Sequence, residues 1–318
     1  MSDLPLIQTD RAVPPPATTT PTGGRRRRLR LLSRTDRVVI TLMVLVPLLL
    51  VTAFVWLPAA ATVLLSGTNW DGIGPLNEIE FVGARNYDDV VNIYPPFVPA
   101  VQNNLLWLAA LFVVATPFGM FLAVLLDKEL RGSRFYQTAL YLPVVLSLAL
   151  IGFVWQLLYS RDQGLINAAF NSNVDWYGDS SVNIWAVLVA SGWRHVGYIM
   201  LLYLAGLKGV DPSLREAAAV DGASETRTFF RVVFPVLRPI NIIVLVVTVI
   251  ESLRAFDLVW VVNKGRNGLE LLSALVTQNV VGEASRIGFG SALATIMLVV
   301  SLVFITIYLA TVMRENRE

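Results

Sequence analysis

The apolar residues of this chain are gathered into six long blocks, at about 38–65, 98–126, 136–159, 183–206, 237–261 and 289–313. Each reaches the roughly 20 helical residues needed to cross a hydrocarbon core. In lipid the backbone must satisfy its own hydrogen bonds, which leaves helices or closed barrels. The alternating segments of roughly ten residues that mark a barrel are absent. The expected fold class is therefore all-α, a polytopic membrane protein with six transmembrane helices. Composition agrees, because 55% of the 318 residues are hydrophobic and only 15% are charged, too little to disperse a soluble protein of this length. Pro47, Pro58, Pro117 and Pro143 lie inside the blocks and predict kinks, not breaks, since neighbouring helices satisfy freed carbonyls.

Charge sets the expected orientation. Residues 1–37 form a tail: Ala12 to Gly24 is rich in Pro and Thr and reads as disordered, and Arg25 to Arg28, Arg30, Arg34 and Arg37 then precede the first block. That block is far too long for a signal-peptide core, so it is expected to stay as an anchor. The net charge is only +2, and an arginine run beside a span fixes topology and touches anionic lipid; no nucleic acid partner is implied. With the N-terminus inside, the inner segments hold Lys128, Arg131, Arg134, Lys208, Arg215, Arg227, Arg231, Arg238, Arg314 and Arg317. The outer loops hold Arg85, Arg161, Lys264, Arg266 and Arg286. Both termini, including the short tail 314–318, are thus expected on the cytoplasmic side of the plasma (inner) membrane. The first outer loop, with Asp71, Glu78, Glu80, Asp88 and Asp89, is either a small external subdomain or a solvated loop.

Several chemistries are excluded. There is no cysteine and one histidine, so disulfides, thiolate nucleophiles and thiolate or histidine metal centres are not expected. No Gly-Lys pair occurs, so there is no phosphate-cradling P-loop. The chain is not expected to be an enzyme, and any ATP hydrolysis belongs to another polypeptide.

The connection 208–235 is the most informative stretch. Asp211-Pro212 reads as a helix start, with Asp accepting from orphan N–H groups and Pro suited to the first position. Ser213 to Val220 has helix-forming content, Gly222 suits a left-handed stop, and Ser224-Glu225 restarts a helix through Phe229-Phe230 to Pro235. By pattern this is either an ordinary interhelical loop or a capped docking element. The run Glu216-Ala217-Ala218-Ala219-Val220-Asp221-Gly222-Ala223 followed by Phe234-Pro235 resembles the EAA loop of permease subunits of binding-protein-dependent carbohydrate ABC importers. Gly206 to Glu216 is similar to the extended form in the carbohydrate branch, and three further stretches agree in order: Phe81 to Tyr87, Gly164 to Asn167 and Ala255 to Asp257. The resemblance covers about 38–313.

What that resemblance implies is a type I ABC importer permease fold and a coupling loop made of Glu216, Ala217, Ala218, Asp221, Gly222, Phe234 and Pro235. Glu216 is expected to act in capping and polar contact at the dock, and Gly222 through its backbone freedom. The implied partners are a second homologous permease, an ATPase dimer carrying ATP and Mg, and an extracytoplasmic solute-binding protein delivering a small carbohydrate. No cofactor is implied on this chain. One departure stands out: where the family has Thr-x-Gly-Gly-Pro after the fifth span, this chain has Asn263-Lys264-Gly265-Arg266-Asn267-Gly268.

Ionisable groups at mid-depth usually face a bundle interior or a water-filled route. Arg194 and His195 lie near the centre of block four, and Glu251, Arg254 and Asp257 in block five. Glu251 and Arg254 have the spacing to pair on one helix flank. These groups, with Trp193 and with Trp155 and Trp260 nearby, read either as a buried ion network or as lining of the translocation path. His195 by itself reads as a structural histidine. Two other functions fit less closely: an ion-coupled secondary transporter using Glu251 and His195, and a non-transporting membrane scaffold.

Overall fold

The structure is a computed structural model and describes residues 33–73, 75–128, 131–282 and 285–315. The Pro/Thr-rich stretch, the arginines at 25–30 and residues 316–318 lie outside the described residues. Two compact units divide the chain between Trp56 and Leu57. The described part of the first is a helix, Arg34–Val51, that continues as a π turn, Thr52–Trp56, and carries Pro47 without breaking. It starts inside the segment expected to be tail. The reason is a capping box in which Ser33 Oγ accepts from the Asp36 N–H at 3.0 Å and Asp36 Oδ2 accepts from the Ser33 N–H at 2.8 Å.

Among the described residues four helices are long and apolar enough to cross a membrane, Thr35–Leu65, Phe97–Asp127, Asn183–Lys208 and Ile287–Thr306, and the number rises to six if each of two bent pairs is one span. The first pair, Ser133–Val145 and Leu148–Leu158, bends by 105°. Here the expected kink is a break. Pro143 stays inside its helix, and the chain becomes extended at Leu146 and Ser147, where Ser147 Oγ accepts from the Leu150 N–H and starts the next helix. A serine able to cap is what makes a full break affordable in lipid. The second pair, Glu225–Val236 and Arg238–Asn263, bends by 76°. Among the described residues the β-structure is one isolated antiparallel bridge, Thr68 to Phe81.

Elsewhere prolines are absorbed by π turns. Ala110–Ala115 precedes Pro117 and Phe229–Val233 precedes Pro235. A proline lacks an N–H and crowds the carbonyl one turn back, and widening the preceding turn relieves both.

Two glycines set helix spacing in the second unit. A Cβ on Gly119 would meet Val196 O at 2.8 Å and Ile199 Cβ at 2.9 Å, and one on Gly197 would meet Leu140 O at 2.2 Å. The helix Asn183–Lys208 therefore lies almost backbone to backbone against both Thr116–Asp127 and Ser133–Val145. Ala123, Ile199, Met200, Val233 and Val244 form the core around this contact.

The described part of the 66–96 segment is tied down at its two ends, around Ser66 and around Asn86 to Val90, while residues 71–73 and 77–78 between them are exposed. Asn86 Nδ2 donates to Ser66 O and Thr68 O, both at 2.8 Å, and the Ser66 and Tyr87 hydroxyls bond at 2.6 Å. Val90 is buried with Leu275 and Phe289, tying the segment to the helix Leu272–Val280 and to the last span.

Candidate functional site: the 208–236 projection and the mid-span charges

The 208–236 segment folds as two capped helices around a glycine turn. Asp211 accepts from the Ser213 N–H at 2.9 Å, which starts the helix Pro212–Val220. That bond holds the Asp211 carboxyl below its usual range. At the other end Gly222 has φ +71, the Ala223 N–H reaches Ala218 O at 2.9 Å and the Gly222 N–H reaches Ala219 O at 3.0 Å. These two bonds make a Schellman stop. Ser224 then caps Glu225–Thr228, which continues through the π turn to Phe234–Val236. The cap is Asp211 and not Glu216, which stands beyond the first turn with an exposed side chain. Ala217 and Asp221 are also exposed, Ala218 is turned inward, and Val220 is 88% exposed. Phe234 lies against Phe229 and Phe230, and Pro235 opens the last turn before the bend.

Ion pairs that the sequence did not single out hold this projection. Arg215 Nη1 lies 2.8 Å from Asp127 Oδ2, Lys208 Nζ lies 3.5 Å from Asp127 Oδ1, and Lys128 Nζ lies 2.5 Å from Glu225 Oε2. The available signal was an acid ending an apolar block and followed by a base. Next to these pairs a mainly apolar cavity of about 690 Å³ opens between Phe121, Val124, Ala219, Phe229 and Phe230.

Within the spans the structure joins some of the expected residues and separates others. Arg194 Nη1 meets Glu251 Oε2 at 3.3 Å across two helices, and Arg194 Nε is buried without a partner among the described residues. The expected Glu251–Arg254 pairing is replaced by this contact. Arg254 sits at the C-cap, where the chain leaves the helix Arg238–Leu253, and its side chain is exposed. Glu251, Arg254 and Asp257 instead line a small cavity of about 110 Å³ whose walls are as apolar as polar, with Ser191, Trp107, Ile250 and Phe256.

His195 points elsewhere. It is buried, with Nε2 3.2 Å from Thr248 Oγ1 and 3.5 Å from Thr116 Oγ1. The Thr248 hydroxyl already donates to Val244 O at 2.8 Å, so it accepts from His195 and fixes the Nε2–H tautomer. Trp193 packs edge-on to Trp155 at 5.9 Å, Trp155 contacts Tyr159 at 5.1 Å, and Tyr159 contacts Trp176 at 5.3 Å. The Trp155 indole N–H is buried without a partner among the described residues. Trp260 stacks on Phe256 at 5.1 Å.

The loops show why their motifs have those residues. Asn167 is buried and donates to Arg161 O and Val174 O while its Oδ1 accepts from Ser172 Oγ and Trp176 Nε1. A Cβ on Gly164 would lie 2.2 Å from Ser160 O. The departing loop is ordered by asparagines: Asn263 Oδ1 accepts from the Gly265 and Arg266 N–H groups, and Asn183 Nδ2 donates to Asn267 O.

Comparison with known proteins gives this geometry a family. The profile described as "Binding-protein-dependent transport system inner membrane component" matches residues 115–315. The chain is 31% identical to the xylose/arabinose import permease protein XacH of Haloferax volcanii over 276 residues, covering 83% of this chain and 84% of that one. It is 29% identical to the trehalose/maltose transport system permease protein MalF of Thermococcus litoralis over 280 residues, covering 84% and 91%. A crystal structure of a bacterial alginate ABC transporter, in complex with its alginate pentasaccharide-bound periplasmic protein, contains a chain of the same fold. The TM-score is 0.75 at 18% identity, covering 86% of this chain and 93% of that one. The six-span reading, the ABC importer permease fold and a role as a transport subunit, not an enzyme, rest on these matches together with the helices. The chain is a multi-pass inner-membrane permease and belongs to the family of binding-protein-dependent transport system inner membrane components.

Proposed function

We propose that this permease imports a sugar or sugar-like solute handed over by an extracytoplasmic solute-binding protein. It works beside a second homologous permease and above an ATPase dimer that binds ATP and Mg. Both termini lie in the cytoplasm, so the Pro212–Val236 projection faces the ATPase. The observation that carries this reading is the projection itself. It is a short helix closed at both ends by its own hydrogen bonds, and it presents Glu216, Ala217, Asp221 and an 88% exposed Val220. A rigid body with small side chains and several exposed apolar residues, Leu214, Val220 and Phe230 among them, suits a cleft on another protein. ATP-driven closure of the ATPase moves it as a lever and tilts the bundle between outward- and inward-open states.

Carbohydrate as cargo is supported by the names of the relatives and by side chains at the span centres. The partnerless Trp155 and Arg194 N–H groups, the Arg194–Glu251 pair and the exposed Trp193 face offer hydrogen bonds beside flat apolar surface. Sugars present hydroxyls and C–H faces in that combination. The test is uptake by the complete complex in proteoliposomes, with labelled xylose, maltose and an amino acid as probes. The proposal expects carbohydrate uptake that requires ATP and survives a protonophore. Uptake driven by a proton gradient without the ATPase would overturn it.

A further inference from the structure

We propose that Asp127 is a pin that locks the joint between the span Asn183–Lys208 and the projecting helix, making it a positioning residue for transmission of the ATPase stroke. The inference rests on the docking role just proposed. Between Lys208, the last residue of the span, and Pro212, the first of the projecting helix, stand Gly209, Val210 and Asp211. This is a short joint containing a glycine. It is held on the span side by the buried Val210 and by the Gly209 and Val210 N–H bonds to Gly206 O and Leu207 O, but among the described residues no backbone bond runs from the span to the projecting helix beyond Asp211. Lys208 lies on the span side of the joint and Arg215 on the far side, and both converge on one carboxylate. Arg215 meets Oδ2 at 2.8 Å and Lys208 meets Oδ1 at 3.5 Å.

The carboxylate is the fixed point of the three. Asp127 is 9% exposed, whereas Arg215 and Lys208 are 41% and 51% exposed. Its helix, Thr116–Asp127, is held against the span through the Gly119 contact. The charge-assisted Arg215–Asp127 bond to a shielded carboxylate is the strong one, the 3.5 Å Lys208 pair is the weaker second contact, and the exposed Lys128–Glu225 pair contributes less than either. With the pin in place, a push on the projection moves both spans as one body. Without it, the joint bends and the stroke is lost before it reaches the solute path.

The test uses the reconstituted complete complex and reads solute molecules moved per ATP hydrolysed. Asp127→Asn keeps the shape and removes the charge. The expected result is retained assembly and ATPase activity with about tenfold less solute per ATP, the scale of one lost charge-assisted bond. The chain has no cysteine. Asp127→Cys with Arg215→Cys, in complexes whose partner chains are cysteine-free, therefore allows one bis-maleimide bridge, which is expected to restore the ratio. A wild-type ratio in Asp127→Asn overturns the pin. So does loss of assembly in that variant, which means a merely structural role, and so does failure of the bridge to restore coupling in an assembled complex. A complex whose 213–223 segment is replaced by a Gly/Ser linker separates the two ideas. If it still binds the ATPase and transports, the docking reading fails; if it loses the ATPase while Asp127→Asn transports normally, only the pin fails.

Discussion

Replacing Gly222 should weaken coupling in an order set by backbone strain alone. The residue has φ +71, and a Cβ placed there meets nothing within 4 Å, so a side chain causes no clash. What remains is the left-handed conformation, which costs an L-residue about 1–2 kcal/mol, least for Asn and most for a β-branched side chain. The strain is relieved by opening the turn, at the expense of the Ala223–Ala218 and Gly222–Ala219 bonds. A penalty of about 1–2 kcal/mol lowers the ratio of closed to open turn by roughly 5- to 30-fold. Gly222→Asn should therefore transport nearly as wild type, Gly222→Ala less well, and Gly222→Val should hydrolyse ATP with little solute moved while the protein stays in the membrane. The assay is uptake per ATP, with amide exchange at residues 222 and 223 reporting the turn directly. Equal damage from Asn and Val would refute the reasoning, because it would mean that the glycine serves a close contact with a partner and not a backbone angle. Wild-type transport by Gly222→Val would remove the turn from the mechanism altogether.

Other expectations follow from the same geometry. Glu251→Gln removes the Arg194 ion pair and should lower uptake in a complex that still assembles; unchanged uptake would count against a direct solute role for the pair. Gly197→Ala pushes a methyl group against the Leu140 carbonyl and should cost about 1–3 kcal/mol, seen as a lower melting temperature of the purified chain. Asn167→Ala leaves several half-buried groups without partners and should loosen residues 160–182 by about 1–3 kcal/mol, read by limited proteolysis and tryptophan fluorescence. The Asp211 carboxyl has its pKa lowered from 3.8 by the Ser213 N–H, so its capping contribution is fully present above 3.8 and disappears only as pH falls through the lower folded value. Helix content of the projection should thus be flat across the neutral range and fray only in stronger acid, which amide exchange would follow.

Much of this architecture was legible because lipid leaves a chain few choices. Apolar blocks of sufficient length had to be helices, and Asp211-Pro212, Gly222 and Ser224 each perform the local task their chemistry suggests. The break at Leu146–Ser147 was not legible, since it depends on a serine capping inside an apolar run while the nearby Pro143 draws attention to itself. The helix start at Arg34 was hidden for a similar reason: the arginines outweighed the Ser33/Asp36 box. At the candidate site the meeting of Arg194 and Glu251 was foreseeable from depth, but the choice of Arg194 over Arg254 depends on where one helix ends. Asp127 was missed because its meaning lies entirely in residues more than 80 positions away.

The most direct test of the central claim is co-purification of the tagged chain from gently solubilised membranes, wild type beside the variant whose 213–223 segment is a Gly/Ser linker. The account predicts that wild type brings down an ATPase and a second permease, and that the variant loses the ATPase alone. A wild-type chain that purifies by itself under conditions that preserve known complexes, or a variant that keeps the ATPase, would contradict it.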